Sequence, residues 1–250
     1  MLVAKSNPGF WDVYIIRPLS ELIIYLSQLF GNSYAMGIIV FTILFRIILI
    51  PVSIMQMKSQ QQMQDIQPEL EIIKKKYPNK DRQSMEMLQK EQSELMEARG
   101  VNQFAGCLPM VVQLPVMIAL YQTILKTEAL KTGHFLWMNL GQLDPYFILP
   151  ILAAGLALYS SYLSMKTNMS DSGVVKGMMY IMPLMILLIT ISLPSALGLY
   201  FVISNAINVI QTLVFNNPYK ILSEREAERL AEKEKKKALK RQLKRVKNKK

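Results

Sequence analysis

The chain has 250 residues, is 51% hydrophobic and carries a formal net charge of +11. A positive mean hydropathy of +0.21 beside that charge excludes an ordinary soluble basic protein. The two reconcile if apolar residues fill membrane spans and basic ones fill loops and tails. A single cysteine, Cys107, excludes an intramolecular disulfide framework and, heading an apolar run, reads as a buried structural thiol.

The first residues, MLVAKSNPGF, hold too short an apolar run for a signal peptide. Residues 18–30 are interrupted too soon by Arg17, Pro18 and Glu21 to span a bilayer. Leu19, Leu22, Ile23, Leu26, Leu29 and Phe30 recur there at helical spacing, which predicts an amphipathic helix lying on the membrane surface.

Crossing a bilayer takes about 20 apolar residues. Five such runs follow, at residues 36–55, 107–125, 146–165, 177–193 and 196–215. The fourth is short, and a Pro194-Ser195 turn joins it to the fifth as a hairpin. Between the first two, the polar residues 57–106 have helix-forming composition. Tyr77-Pro78-Asn79-Lys80-Asp81 predicts a turn, Pro68 suits a first helical turn, and Arg99-Gly100 suits a C-terminal cap. Ile66, Leu70 and Ile73 on one arm, with Met85, Leu88 and Leu95 on the other, predict a helical hairpin. After residue 215 the chain grows steadily more basic, with Ser223 and Glu226 at capping-box spacing.

Lysine and arginine set the direction. Segments after the first, third and fifth runs carry 24 of the 29, whereas the opposite side carries 4 and Arg46 lies within a run. The N-terminus is therefore expected outside and the C-terminus in the cytoplasm. The expected fold is all-α and polytopic, with five transmembrane helices. Its parts are an outer segment (1–33), helix one (34–56), a cytoplasmic helical hairpin (57–106), helices two to five (107–215) and a basic cytoplasmic tail (216–250).

Polar residues inside the spans are distributed unevenly. Arg46 stands near the middle of the first, and helical spacing places Thr42 and Ser53 on its face. Gln113 lies near the inner end of the second span. Ser160, Ser161 and Ser164 lie near the inner end of the third. Ser204, Asn208 and Gln211 form a row on the fifth, with Asn205 beside it. All of this polarity falls between mid-membrane and the cytoplasmic surface. Intramembrane polar groups are costly and mark cavities or pathways, so the pattern points to a hydrated vestibule open only to the cytoplasm. Each residue also has a plainer reading. Ser and Thr bond back to their own helix, Gln and Asn join helices, and an arginine caps carbonyls in a packed bundle. Pro109 and Pro115 read as kinks.

The segment GCLPMVVQLP (106–115), followed by Ala119-Leu120-Tyr121, resembles the signature of the YidC membrane-protein insertases. FRIILIP around Arg46, the basic hairpin, three further spans and the Lys/Arg-rich tail are similar too, so the resemblance covers essentially the whole chain. It is to the shorter version found in single-membrane bacteria, with no large outer domain and, here, no visible lipoprotein-type signal peptide. Membership implies a bacterial cell-membrane insertase and chaperone acting alone or with the Sec translocon, functional as a monomer. Its positively charged groove, with Arg46 at the centre, would open to cytoplasm and lipid and receive nascent membrane proteins with acidic outer tails. The hairpin would receive substrates and the tail would meet ribosomes.

For the tail two readings stand, contact with ribosomal RNA phosphates or attachment to anionic lipids. No phosphate-binding glycine loop, metal set or catalytic triad is legible, so neither enzyme activity nor a cofactor is expected. His134, beside Trp137 in an outer loop, fits an interfacial anchor. The competing class is a small polytopic transporter or channel, which would need polarity through the outer leaflet as well.

Overall fold

The computed structural model describes residues 9–79, 81–101, 108–166, 173–224 and, in the tail, 226, 227, 230, 231, 234 and 235. Cys107, the base of the hairpin at 102–106 and the tail beyond 235 lie outside the described residues.

Helix begins at Phe10, eight residues before the amphipathic stretch read from the sequence. A π-helical turn, Asp12–Ile16, leads into α1 (Arg17–Gln28). Pro18 has no N–H to return to the preceding turn. The wide turn, in which the Arg17 N–H reaches the Asp12 carbonyl, lets the helix continue through it. Ile23 and Leu26 are buried, while Leu22, Tyr25, Leu29 and Phe30 are exposed. The helix therefore packs by one narrow stripe against α2 (Tyr34–Ile48). The two cross at Gly37, where a Cβ would stand 2.5 Å from the Ile23 carbonyl oxygen.

The first predicted span is not one straight helix. It breaks at Leu49, and α3 (Ile50–Asp65) leaves at 61° to α2. Pro51 lacks the N–H that would continue the ladder and restricts Ile50 before it. The i+7 relation between Arg46 and Ser53 therefore does not carry across, and Ser53 stands half-buried on α3.

The hairpin forms from α4 (Gln67–Lys76) and α5 (Arg82–Ala98), with Asp81 capping α5 by accepting from the Ser84 N–H at 3.1 Å. Gly100 takes φ +63° past the helix end, and the Val101 N–H reaches back to the Met96 carbonyl at 2.8 Å, closing the predicted cap. Its small core is Ile66, Leu70, Met96 and Val101, with Met63 and Leu95 against it. Met85, expected inside, is exposed, because α5 presents Met96 instead. Ion pairs Lys76–Glu91 and Glu69–Arg99 close the two ends.

Helix α6 (Leu108–Lys126) contains Pro115 and is followed by α7 (Glu128–Lys131). The antiparallel pair β1 (His134–Phe135) and β2 (Met138–Asn139) then leads to α8 (Ile148–Lys166), α9 (Gly173–Ile191) and α10 (Ser195–Phe215). Asp144 orders this outer corner, accepting from the Trp137 indole at 3.0 Å and the Leu149 N–H at 2.7 Å. The Pro194-Ser195 turn is present, and Ser195 is tied to the outer loop by its N–H on the Gln142 carbonyl at 2.6 Å. After α10 the chain restarts as helix at Pro218, with Asn217 accepting from the Tyr219 N–H. Ser223 lies inside that helix and donates to the Lys220 carbonyl, so the capping box does not form. Asn followed by Pro is the stronger start signal.

Helix α10 is the hub, packed by α2, α6 and α8, while α9 lies along α8 and α1 spans α2 and α6. Two helices, Ile148–Lys166 and the run Ser195–Glu224, are long and apolar enough to cross a membrane, and the bent α2–α3 pair makes a third. The described apolar parts of α6 and α9 are the shorter Val111–Lys126 and Met179–Ile191.

Candidate substrate groove

One apolar core joins the helices at the end that carries the β1–β2 pair: Ile23, Leu26, Ile38, Phe41, Leu120, Ile124, Leu130, Met138, Leu140, Leu149, Leu197, Leu199 and Tyr200, with neighbouring alanines. Beyond it, α8 and α10 stay buried at Leu163, Val209 and Gln211, whereas α2 does not. On α2 the buried residues are Ala35, Gly37, Ile38, Phe41 and Thr42, with none beyond, and α3 buries none. Burial of α2 thus ends at Thr42, one turn before Arg46, while α8 and α10 remain packed further along.

Arg46 sits one turn beyond Thr42, the last buried residue of α2. Its Nη1 donates to Asn208 Oδ1 at 3.1 Å and its Nε lies 3.4 Å from Ser204 Oγ, both on α10. Tyr200, a turn outward on the same helix, also interacts with the guanidinium and accepts a hydrogen bond from Gln113 Nε2 of α6 at 3.0 Å. Three helices thus converge on one charge. A guanidinium has five N–H donors, so these neutral partners leave part of its capacity unspent and its charge uncompensated. No Asp or Glu occurs in α2, α6, α8, α9 or α10. Hydrogen bonds to a charged group contribute about 1.5–3 kcal/mol each, which holds Arg46 in place without cancelling its field. Such an arrangement attracts and orients anions. It makes and breaks no bonds.

The remaining predicted residues divide. Thr42 is fully buried and its hydroxyl donates to the Ile38 carbonyl at 2.6 Å. Asn205 donates to the Phe201 carbonyl at 2.8 Å. Thr42 follows the plainer reading of bonding to its own helix, whereas Asn205, expected to line the groove or join helices, bonds its own helix instead. Ser160, Ser161 and Ser164 stand half-buried on α8. Gln211 is buried on α10, one turn inward of Asn208. Tyr200 was hidden in the sequence because its ring counts as apolar. The ring packs in the outer core and only the hydroxyl reaches the polar set.

Residues 25–224 match the family model described as the 60Kd inner membrane protein. The membrane protein insertase YidC 2 of Lactiplantibacillus plantarum is 48% identical over 91% of this chain and 82% of its own.

The chain belongs to the YidC insertase family.

The YidC protein of Enterococcus faecalis is 46% identical over 90% of this chain and 81% of its own. The insertase MisCA of Bacillus subtilis is 40% identical over 86% of this chain and 83% of its own. Among solved structures, an active YidC insertase with its first transmembrane domain resolved superposes with a TM-score of 0.65 at 26% identity. That match takes in 82% of this chain and 47% of the solved one, so the chain spans about half its length. YidC proteins are bacterial, multi-pass and non-enzymatic, which agrees with a site built of one charge, neutral amides and hydroxyls.

Proposed function

We propose that this insertase receives nascent membrane proteins in the groove around Arg46. Five spans cross the membrane, with the N-terminus outside, α1 on the outer face and the hairpin and tail in the cytoplasm. One observation carries the reading: among the described residues, Arg46 at the edge of the apolar core is met by Ser204, Asn208 and Tyr200 and by no carboxylate. A hydrated groove reaching halfway shortens the dry path for polar tails, whose unsatisfied groups cost several kcal/mol each in hydrocarbon. Arg46 attracts acidic residues of the arriving tail. Release outward is helped by the membrane potential, about 2.3 kcal/mol per negative charge at 100 mV. The substrate's apolar segment then partitions into lipid along α8 and α10, which drives the rest. The protein acts alone as a monomer or beside the Sec translocon. Its basic tail engages ribosomal RNA, with anionic lipid as the competing surface.

Insertion of substrates with acidic outer tails, measured in a depletion strain, tests this. Arg46→Ala is expected to impair it and Arg46→Lys to retain much of it. Normal insertion by the alanine variant would overturn electrostatic capture.

A further inference from the structure

Helix α10 ends at Asn216, whose backbone leaves the helical region at φ −134°. A second helix starts at Pro218, where Asn217 Oδ1 accepts from the Tyr219 and Lys220 N–H groups at 3.0 and 3.4 Å. Pro218 is buried and seats the break, but a helix that restarts after a break needs a further contact to fix its direction. Lys166, in the last turn of α8, supplies one. Its ammonium lies 4.9 Å from the ring centre of Tyr162, one turn back on α8, and 4.5 Å from that of Tyr219 in the restarted helix. It also donates to the Tyr219 hydroxyl at 3.3 Å. Tyr159 stacks on Tyr162 at 6.5 Å and backs the first ring. A cation is held over an aromatic face by the ring's quadrupole, so one lysine staples the tail helix to α8.

The direction matters because of where the charge lies. From Lys220 to Glu234 the tail holds four basic and five acidic residues, and from Lys235 to Lys250 it holds ten basic and no acidic ones. Attraction for phosphate therefore begins at Lys235. The described residues between Tyr219 and Lys235 are helical, and a helical run of that length measures about 24 Å. A tilt of about 20° at its base displaces the far end by about 8 Å, one Debye length at physiological ionic strength. A loose base would carry the basic block out of range of a phosphate that a fixed base keeps it near.

We propose that Lys166 is a positioning residue for ribosome docking: held between Tyr162 and Tyr219, it fixes the direction of the tail helix and so where the basic block meets ribosomal RNA. This rests on the ribosomal reading of the tail given above, and a truncation separates the two.

The test uses the full-length chain in nanodiscs of zwitterionic lipid, with vacant bacterial ribosomes as the probe. Spin labels at Ile48→Cys and Glu226→Cys, in a Cys107→Ser background, report the tail's direction as a distance distribution. It should be narrow with the native staple and broad in Tyr219→Leu and Lys166→Gln. It should be narrow again in Tyr219→Phe and Lys166→Arg, which keep the ring and the cation. Ribosome affinity should fall about two- to fivefold in Tyr219→Leu, the worth of one exposed cation–π contact, and at least as far in Lys166→Gln. The conservative variants should restore it, and the salt dependence of binding should keep its slope throughout. Narrow distributions in every variant would overturn the staple. Broad distributions with unchanged affinity would overturn the positioning role. A slope lowered by about one in Lys166→Gln would make Lys166 a direct phosphate contact and overturn that role too. A chain ending at Glu224 keeps the staple and lacks the basic block. If it binds ribosomes as well as the full chain does, the ribosomal reading of the tail falls and this proposal with it, and immobilisation of the tail label by anionic nanodiscs would then assign the tail to lipid.

Discussion

Asn208→Asp is the most informative single-atom change in this protein. Asn208 Oδ1 already accepts from Arg46 Nη1 at 3.1 Å, so the aspartate needs no rearrangement to pair with it. Two unit charges at about 4 Å attract by about 4 kcal/mol at an effective dielectric near 20. Desolvation reduces this toward the 1.5–3 kcal/mol typical of a charged hydrogen bond. A substrate carboxylate must then displace a resident one instead of a neutral amide. Its capture should weaken by about tenfold or more. Two substrates with the same span and either an acidic or a neutral outer tail separate this from general damage. In proteoliposomes, Asn208→Asp should insert the acidic tail at least about tenfold more slowly and the neutral tail at close to the normal rate. Folding should be undisturbed, since the change adds a paired charge where an unpaired one stood. Equal rates for the acidic tail in variant and native protein would refute capture by an uncompensated Arg46.

Two further predictions concern the scaffold. Gly37→Ala should lower stability by about 1–3 kcal/mol in a detergent melt, because its Cβ would meet the Ile23 carbonyl at 2.5 Å and Ser27 at 3.0 Å. In the hairpin, the Lys76 ammonium and the Tyr77 hydroxyl hold the Glu91 carboxyl below its ordinary range. A depressed acid stabilises the fold above its unfolded value, near pH 4, and loses that contribution as pH falls through the lower folded value. Hydrogen exchange in α4 and α5 should therefore show the hairpin opening more readily on acidification, and Glu91→Gln should flatten that dependence.

Much of the site was legible because polarity inside an apolar run has few uses. The i, i+4 spacing of Ser204 and Asn208 placed both on one face, and both meet Arg46. Hydropathy could not reveal the bend at Leu49, since isoleucine, proline and valine stay apolar through it, so Ser53 was misaligned with Arg46. Nor could it show that Asn205 turns back to Phe201 while Asn208 turns outward, because that choice depends on the partner helix. Tyr200 escaped for a related reason, as one side chain serves the core with its ring and the groove with its hydroxyl. In the hairpin, two methionines eleven residues apart compete for one small core, and periodicity alone did not choose Met96 over Met85.

The central claim is a groove that is wet on the cytoplasmic side, sealed outward and occupied by the arriving chain. It is tested most directly by labelling single cysteines in a Cys107→Ser background with a membrane-impermeant maleimide, with and without a stalled ribosome-bound substrate. At Asn208→Cys, labelling should occur from the cytoplasmic side only, and the stalled chain should block it. At Thr123→Cys, a fully buried position beside the outer core, neither side should label. Labelling of position 208 from outside, or labelling undiminished by the stalled chain, would contradict the account.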